Sequence, residues 1–148
     1  MAKKKPKKSK ALNPRSEKIP RKLQDPISHD ASSFLWRVNN NYIDYGHPEF
    51  GWGKVEILFF LQKIVQVLQG YEGLTWYEVK EKGHCHPWGL DEIPRECYRR
   101  LEERQIDVEQ LYQIGLGNKP RIIGYKDRAI FYLMWWDAEH KFCPTKAR

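Results

Sequence analysis

Arg121-Ile122-Ile123-Gly124-Tyr125-Lys126-Asp127-Arg128-Ala129-Ile130-Phe131-Tyr132-Leu133-Met134-Trp135-Trp136 decides the fold class. Two runs rich in β-branched and aromatic side chains, 121–125 and 129–136, are separated by Lys126-Asp127-Arg128, a connection of hairpin length. The second run is apolar on both faces, which predicts an interior strand covered on both sides, or by helices on one. Immediately upstream, Leu111 to Leu116 reads as a third strand, joined to the first run by Gly117-Asn118-Lys119-Pro120. The three together predict an antiparallel meander.

Working outward, the pattern changes period. From Lys54 to Gln69, Val55, Leu58, Phe59, Leu61, Ile64, Val65 and Leu68 recur at three- and four-residue steps, which predicts an amphipathic helix ended by Gly70. Thr75-Trp76-Tyr77-Glu78 fits a capping box and opens a short helix to about Lys82. Pro94 suits a first helical position and opens a helix through Arg104, with Cys97, Tyr98 and Leu101 inward. Its other residues, Arg95, Arg99, Arg100 and Arg104 interleaved with Glu96, Glu102 and Glu103, have the mixed charge of a solvated face. Near the start, Phe34 to Val38 predicts a strand and Asn39 to Asn41 a turn, while Tyr42 to Tyr45 suits a second short strand or an extended loop. Gly46 to Gly53 is a loop whose Phe50 and Trp52 can plug the core. The sum is an α+β fold: helices packed on a small, mostly antiparallel sheet ending in a three-stranded meander.

Charge divides the chain unevenly. Of 148 residues, 26 are Lys or Arg and 19 Asp or Glu, a formal charge of +7. Residues 1–22 alone carry +9, and the remaining 126 carry −2. With Pro6, Pro14 and Pro20 and almost nothing apolar, 1–22 is expected to be a disordered basic tail, and 23–148 a single α+β domain. Lys3, Lys4, Lys5, Lys7, Lys8 and Lys10 could neutralise nucleic-acid phosphates without reading sequence, or simply solubilise the chain. The longest apolar run has eight residues, far short of a membrane helix, and no secretory signal is read, so no membrane association is expected. Three scattered cysteines argue against a disulfide framework and suit a cytoplasmic location. Phosphate-loop and dinucleotide motifs are absent.

RNA cleavage at a 2′-hydroxyl needs a base, an acid and a cation beside the phosphate, and no cofactor. The meander offers Arg121, Lys126 and Arg128 as cations, Asp137, Glu139 and His140 as proton carriers, and Tyr125 or Tyr132 as hydroxyl donors. Asp137 and His140, three apart after a strand, are equally placed to pin a turn by hydrogen bonding. His84, Cys85, His86, Asp137, His140 and Cys143 form a pool of metal-ligand types, yet no ligand motif is present and no metal is expected. Trp52 and Trp88, on Gly- and Pro-bounded loops, are the aromatics most suited to stacking on bases.

The segments 121–127 and 131–140, with Ala138 in place of the usual Pro, resemble a family of small, largely uncharacterised bacterial proteins ending in R-I-x-G-x-R-D-x-x-x-F-Y-x-L-W-W-D-P-E-H. Phe34 to Arg37, Phe50 to Trp52 and His84 to Pro87 share that likeness. In element order, with Arg at the head of the middle meander strand and His in the turn after the last, the chain also resembles the RelE/ParE superfamily of toxins, many of which cleave mRNA on the ribosome and are inhibited by an antitoxin. That resemblance implies an RNA-binding or RNA-cleaving toxin, in which His140 and Asp137 handle protons, Arg121 and Arg128 hold phosphate, and Lys126 contacts nucleic acid. Its expected partners are RNA or the ribosome and an antitoxin-like protein. The competing expectation is a non-catalytic binding or adaptor module whose basic tail touches nucleic acid.

Overall fold

The computed structural model describes residues 29–143, so the basic segment 1–22, with Lys3 to Lys10, lies outside the described residues. β1 (Leu35–Arg37) is followed by α1 (residues 57–72), α2 (Trp76–Lys82), β2 (His86–Gly89), α3 (Arg95–Glu103) and the meander β3 (Gln110–Gly115), β4 (Arg121–Asp127) and β5 (Ile130–Asp137). The five strands form one sheet in the order β1-β5-β4-β3-β2, with β1 parallel to β5 and every other pair antiparallel. The fold is α+β. The doubly apolar β5 is interior, as its sequence requires, between β1 and β4.

Alternation along the strands feeds two cores. Ile114, Ile122, Phe131 and Leu133 pack with Phe34, Ile64, Leu68, Trp76 and Val79 under α1 and α2. Leu111, Ile123, Met134 and Trp135 pack on the opposite face with Cys97 and Leu101 of α3 and with Phe50 and Phe142. The register shifts between Ile123 and Gly124, where the Phe131 ring lies so close that a Cβ on Gly124 would stand 2.6 Å from it. The Thr75 capping box forms as the sequence predicts, with the hydroxyl oxygen accepting from the Glu78 N–H and the Glu78 carboxylate accepting from the Thr75 N–H.

Several local expectations are corrected. β2 is a strand that periodicity missed, because it is four residues long and contains Pro87; it lies at the sheet edge, where a missing N–H is tolerated. Of the two alternatives for Tyr42 to Tyr45, the loop rather than the strand is found. α1 runs through Gly70 to Glu72 and ends at Gly73. It begins with a short α-helical stretch, Ile57–Phe59, and then a π turn, Phe60–Ile64, which widens the winding and changes the inward set. Phe60, Ile64, Leu68 and Tyr71 therefore face the core, while Ile57, Leu58 and Leu61 are 67 %, 62 % and 49 % exposed. Tyr98 is exposed rather than inward.

The arginines of α3 are not all on a solvated face. Arg100 Nε and Nη2 each donate to the Asp44 carboxylate at 2.8 Å, and Arg104 donates to the Tyr42 and Ile43 carbonyls at 3.0 and 2.9 Å. Asp44 also accepts from Trp135 Nε1 at 2.9 Å and from the Gly46 and His47 N–H groups at 3.1 Å. This network ties the 42–53 loop to α3 and β5. Burial opposes the Asp44 charge, but bonds from Arg100 and Trp135 and the charges of Arg100 and Arg104 outweigh it and hold the carboxyl far below its ordinary range.

Candidate functional site

One face of the sheet changes character along its strands. Side chains two apart share a face, so Leu111, Gln113 and Gly115 of β3 continue one row, as do Ile123 and Arg121 of β4 and Trp135 and Asp137 of β5. His86 pairs directly with Gln113, and Arg121 pairs with both Gly115 and Asp137. Under α3 these rows are apolar core; beyond it they become polar and floor a cleft of about 860 Å³. His84, before β2, Asn118, in the β3–β4 turn, and His140, after β5, complete its rim. All these connections lie at one end because β2 and β4 start where β3 and β5 finish.

Arg121 is 9 % exposed, and no carboxylate pairs with it among the described residues. Its Nη1 donates to the Pro120 carbonyl at 3.0 Å and reaches the Gly117 carbonyl at 3.5 Å, while Nε has no partner among the described residues. Gly115 leaves the space it occupies: a Cβ there would stand 3.3 Å from Arg121 Nη1. Half-buried His140 also has a buried nitrogen, Nε2, without a partner among the described residues. Burial and then the Arg121 charge push its pKa below the ordinary histidine value, with Asp137 opposing, so the imidazole is neutral near pH 7. His140 and His84 hold left-handed backbone, φ 60° and 51°, a conformation that costs energy outside glycine.

Asp137 is 1 % exposed and spends both oxygens on the turn that carries His140, accepting from the Lys141 N–H at 2.8 Å and the Phe142 N–H at 2.7 Å. It positions His140. Glu92, the acid on the cleft wall, accepts from the Gly89 N–H at 2.8 Å. Burial pushes the thiols of Cys85 and Cys143 up to about 12 and about 11, so both remain protonated and are poor nucleophiles. Among the described residues no three His, Cys, Asp or Glu side chains gather as a metal cage.

Other predicted site residues lie elsewhere. Arg128 is in the β4–β5 turn at the opposite end of the hairpin from Arg121, roughly 20 Å away at the rise of an extended strand, and pairs with Asp127 at 3.5 Å. Lys126 is held over the rings of Trp76 and Tyr112, 4.9 and 5.7 Å from their centroids. Tyr125 and Tyr132 stack on each other and pack at a tilt against Tyr42 outside the cleft, and Glu139 pairs with Lys119 at 3.5 Å. Trp52 is buried, whereas Trp88 is half-buried and lines the cleft. Sequence reasoning passed over Gln113, although a polar residue inside the apolar run Leu111 to Ile114 was its signal.

Residues 54–148 match the model of a family described as uncharacterised protein UU032. The chain belongs to that family. The family region spans every residue of the cleft and excludes β1, Asp44 and His47. No curated protein and no solved structure matches the chain. No helix among the described residues is long and apolar enough to cross a membrane.

Proposed function

We propose that this protein binds single-stranded RNA in the Arg121–His140 cleft and cleaves it there. One observation carries the reading: Arg121 is a buried cation with no carboxylate within ion-pair distance among the described residues, at the floor of an open cleft. A buried charge is costly unless compensated, and an RNA phosphodiester supplies the missing anion. His84 and His86, exposed on the same cleft, add donors, and the acid there is already engaged.

The chemistry needs no group beyond the chain and its substrate. Neutral His140 takes the 2′-hydroxyl proton as the 2′-oxygen attacks phosphorus. His84 or His86 returns a proton to the departing 5′-oxygen, leaving a 2′,3′-cyclic phosphate. Arg121 stabilises the charge that builds on the phosphoryl oxygens. Asp137 acts only by holding the turn, and Arg128 and Lys126 lie outside the reaction. The resemblance of the sequence to RelE-type toxins suggests a ribonuclease as the reaction class, although the edge strand His86–Gly89 is not part of that resemblance.

A second reading, a non-catalytic binding or adaptor module whose basic tail touches nucleic acid, is favoured by the exposed apolar start of α1 at Ile57, Leu58 and Leu61, a surface suited to a protein partner. Labelled single-stranded RNA separates the two. The ribonuclease reading predicts at least about tenfold weaker binding for Arg121→Met and unchanged binding for Arg128→Met. It also predicts cyclic-phosphate ends that disappear with His140→Asn. Binding indifferent to Arg121, with no cleavage, leaves the adaptor reading standing.

A further inference from the structure

Gln113 is 5 % exposed and sits on the cleft floor, directly across from His86. Trp88 Nε1 reaches Gln113 Oε1 at 3.3 Å. An indole N–H is only a donor, so the oxygen end of the amide faces it and the NH2 end faces the cleft. That NH2 has no protein partner among the described residues. Beside it the exposed His86 ring is braced on Trp88, with centroids 4.2 Å apart. The site therefore presents a ring pair suited to stacking and a donor whose orientation cannot reverse while Trp88 holds the oxygen.

We propose that Gln113 reads the base next to the phosphate held by Arg121, accepting guanine and rejecting adenine. This deepens the RNA reading above and rests on it. A free glutamine matches adenine by accepting from N6 and donating to N7, but the Gln113 oxygen is turned toward the Trp88 indole, so the end of the amide a base meets is the NH2, a donor. Guanine presents two acceptors, O6 and N7, and no donor on the same edge, whereas adenine places the N6 amine against the Gln113 amine. Stacking on the His86–Trp88 pair holds either purine and contributes no choice between them.

The test is fluorescence anisotropy with the full chain and eight-nucleotide uridine RNAs carrying one central guanosine or adenosine; the basic tail meets both equally. The guanosine probe is expected to bind about tenfold more tightly. Trp88→Phe keeps a ring but frees the Gln113 oxygen, so the preference should collapse to within about twofold with overall affinity retained. Gln113→Glu, which replaces the donor by an acceptor, should reverse it. Equal binding of the two probes, still dependent on Arg121, overturns base reading by Gln113 and leaves the RNA site intact. A preference that survives Trp88→Phe and Gln113→Glu also overturns it. Binding that ignores Arg121→Met overturns the RNA site and this inference with it.

Discussion

Asp44 and Arg121 are both charged residues taken out of water, 2 % and 9 % exposed, and the protein treats them oppositely. Asp44 is met by two arginines, an indole N–H and two backbone amides. Among the described residues Arg121 is met by backbone carbonyls alone and keeps one nitrogen idle. The neighbouring histidines repeat the contrast. His47 Nδ1 accepts from the Glu49 and Phe50 N–H groups, each at 3.0 Å, and its ring packs on Phe50 and Trp135. His140 stands in strained backbone with a bare Nε2. The Asp44 carboxylate is fully met, as a structural node requires, although Trp52 Nε1 in the same loop has no partner among the described residues; at Arg121 it is the charge itself that is left short, as the proposed phosphate site requires.

The largest effect should come from the satisfied node. Asp44→Ala strands the Trp135 N–H and two loop amides and leaves Arg100, 29 % exposed, without its partner. It should lower unfolding free energy by about 3 kcal/mol in urea titration; a loss below about 1 kcal/mol would erase the distinction between the regions.

Acid should reach the same node through His47. Burial depresses its pKa below 6.5, so folding favours the neutral ring: the stabilisation is complete above pH 6.5 and is lost as pH falls below it. The depressed Asp44 carboxyl acts lower, keeping its contribution above pH 3.8 and losing it beneath. Denaturation midpoints taken between pH 7.5 and 3 should decline in those two windows, and His47→Gln should flatten the first. An unchanged first decline in that variant would move its origin to His140.

The smallest stability change should follow Arg121→Met. Replacing a buried, unpaired guanidinium by an apolar side chain of similar length should leave unfolding free energy within about 1 kcal/mol of the parent, or raise it. A loss as large as that of Asp44→Ala would make Arg121 a structural residue after all.

Features written in neighbouring residues were legible before any fold was known. Runs of β-branched and aromatic residues joined by hairpin-length connections predicted the meander, a four-residue box the start of α2, the doubly apolar 129–136 an interior strand, and the spacing of Asp137 and His140 a pinned turn. Each rests on contacts a few residues apart, where backbone geometry fixes which side chains can meet. Tertiary structure alone decided the rest. Arg100 looks like its solvated neighbours until the 42–53 loop brings Asp44 beneath it. Leu58 and Leu61 look like core until a π turn rotates them away. Arg121 and Arg128 are equivalent cations in a hairpin sequence, yet strand direction sends one to a cleft with three histidines and the other to the far end. Local periodicity specifies an element and its inward face, but the meeting of residues 30 or more apart depends on strand order and direction, which no short segment contains.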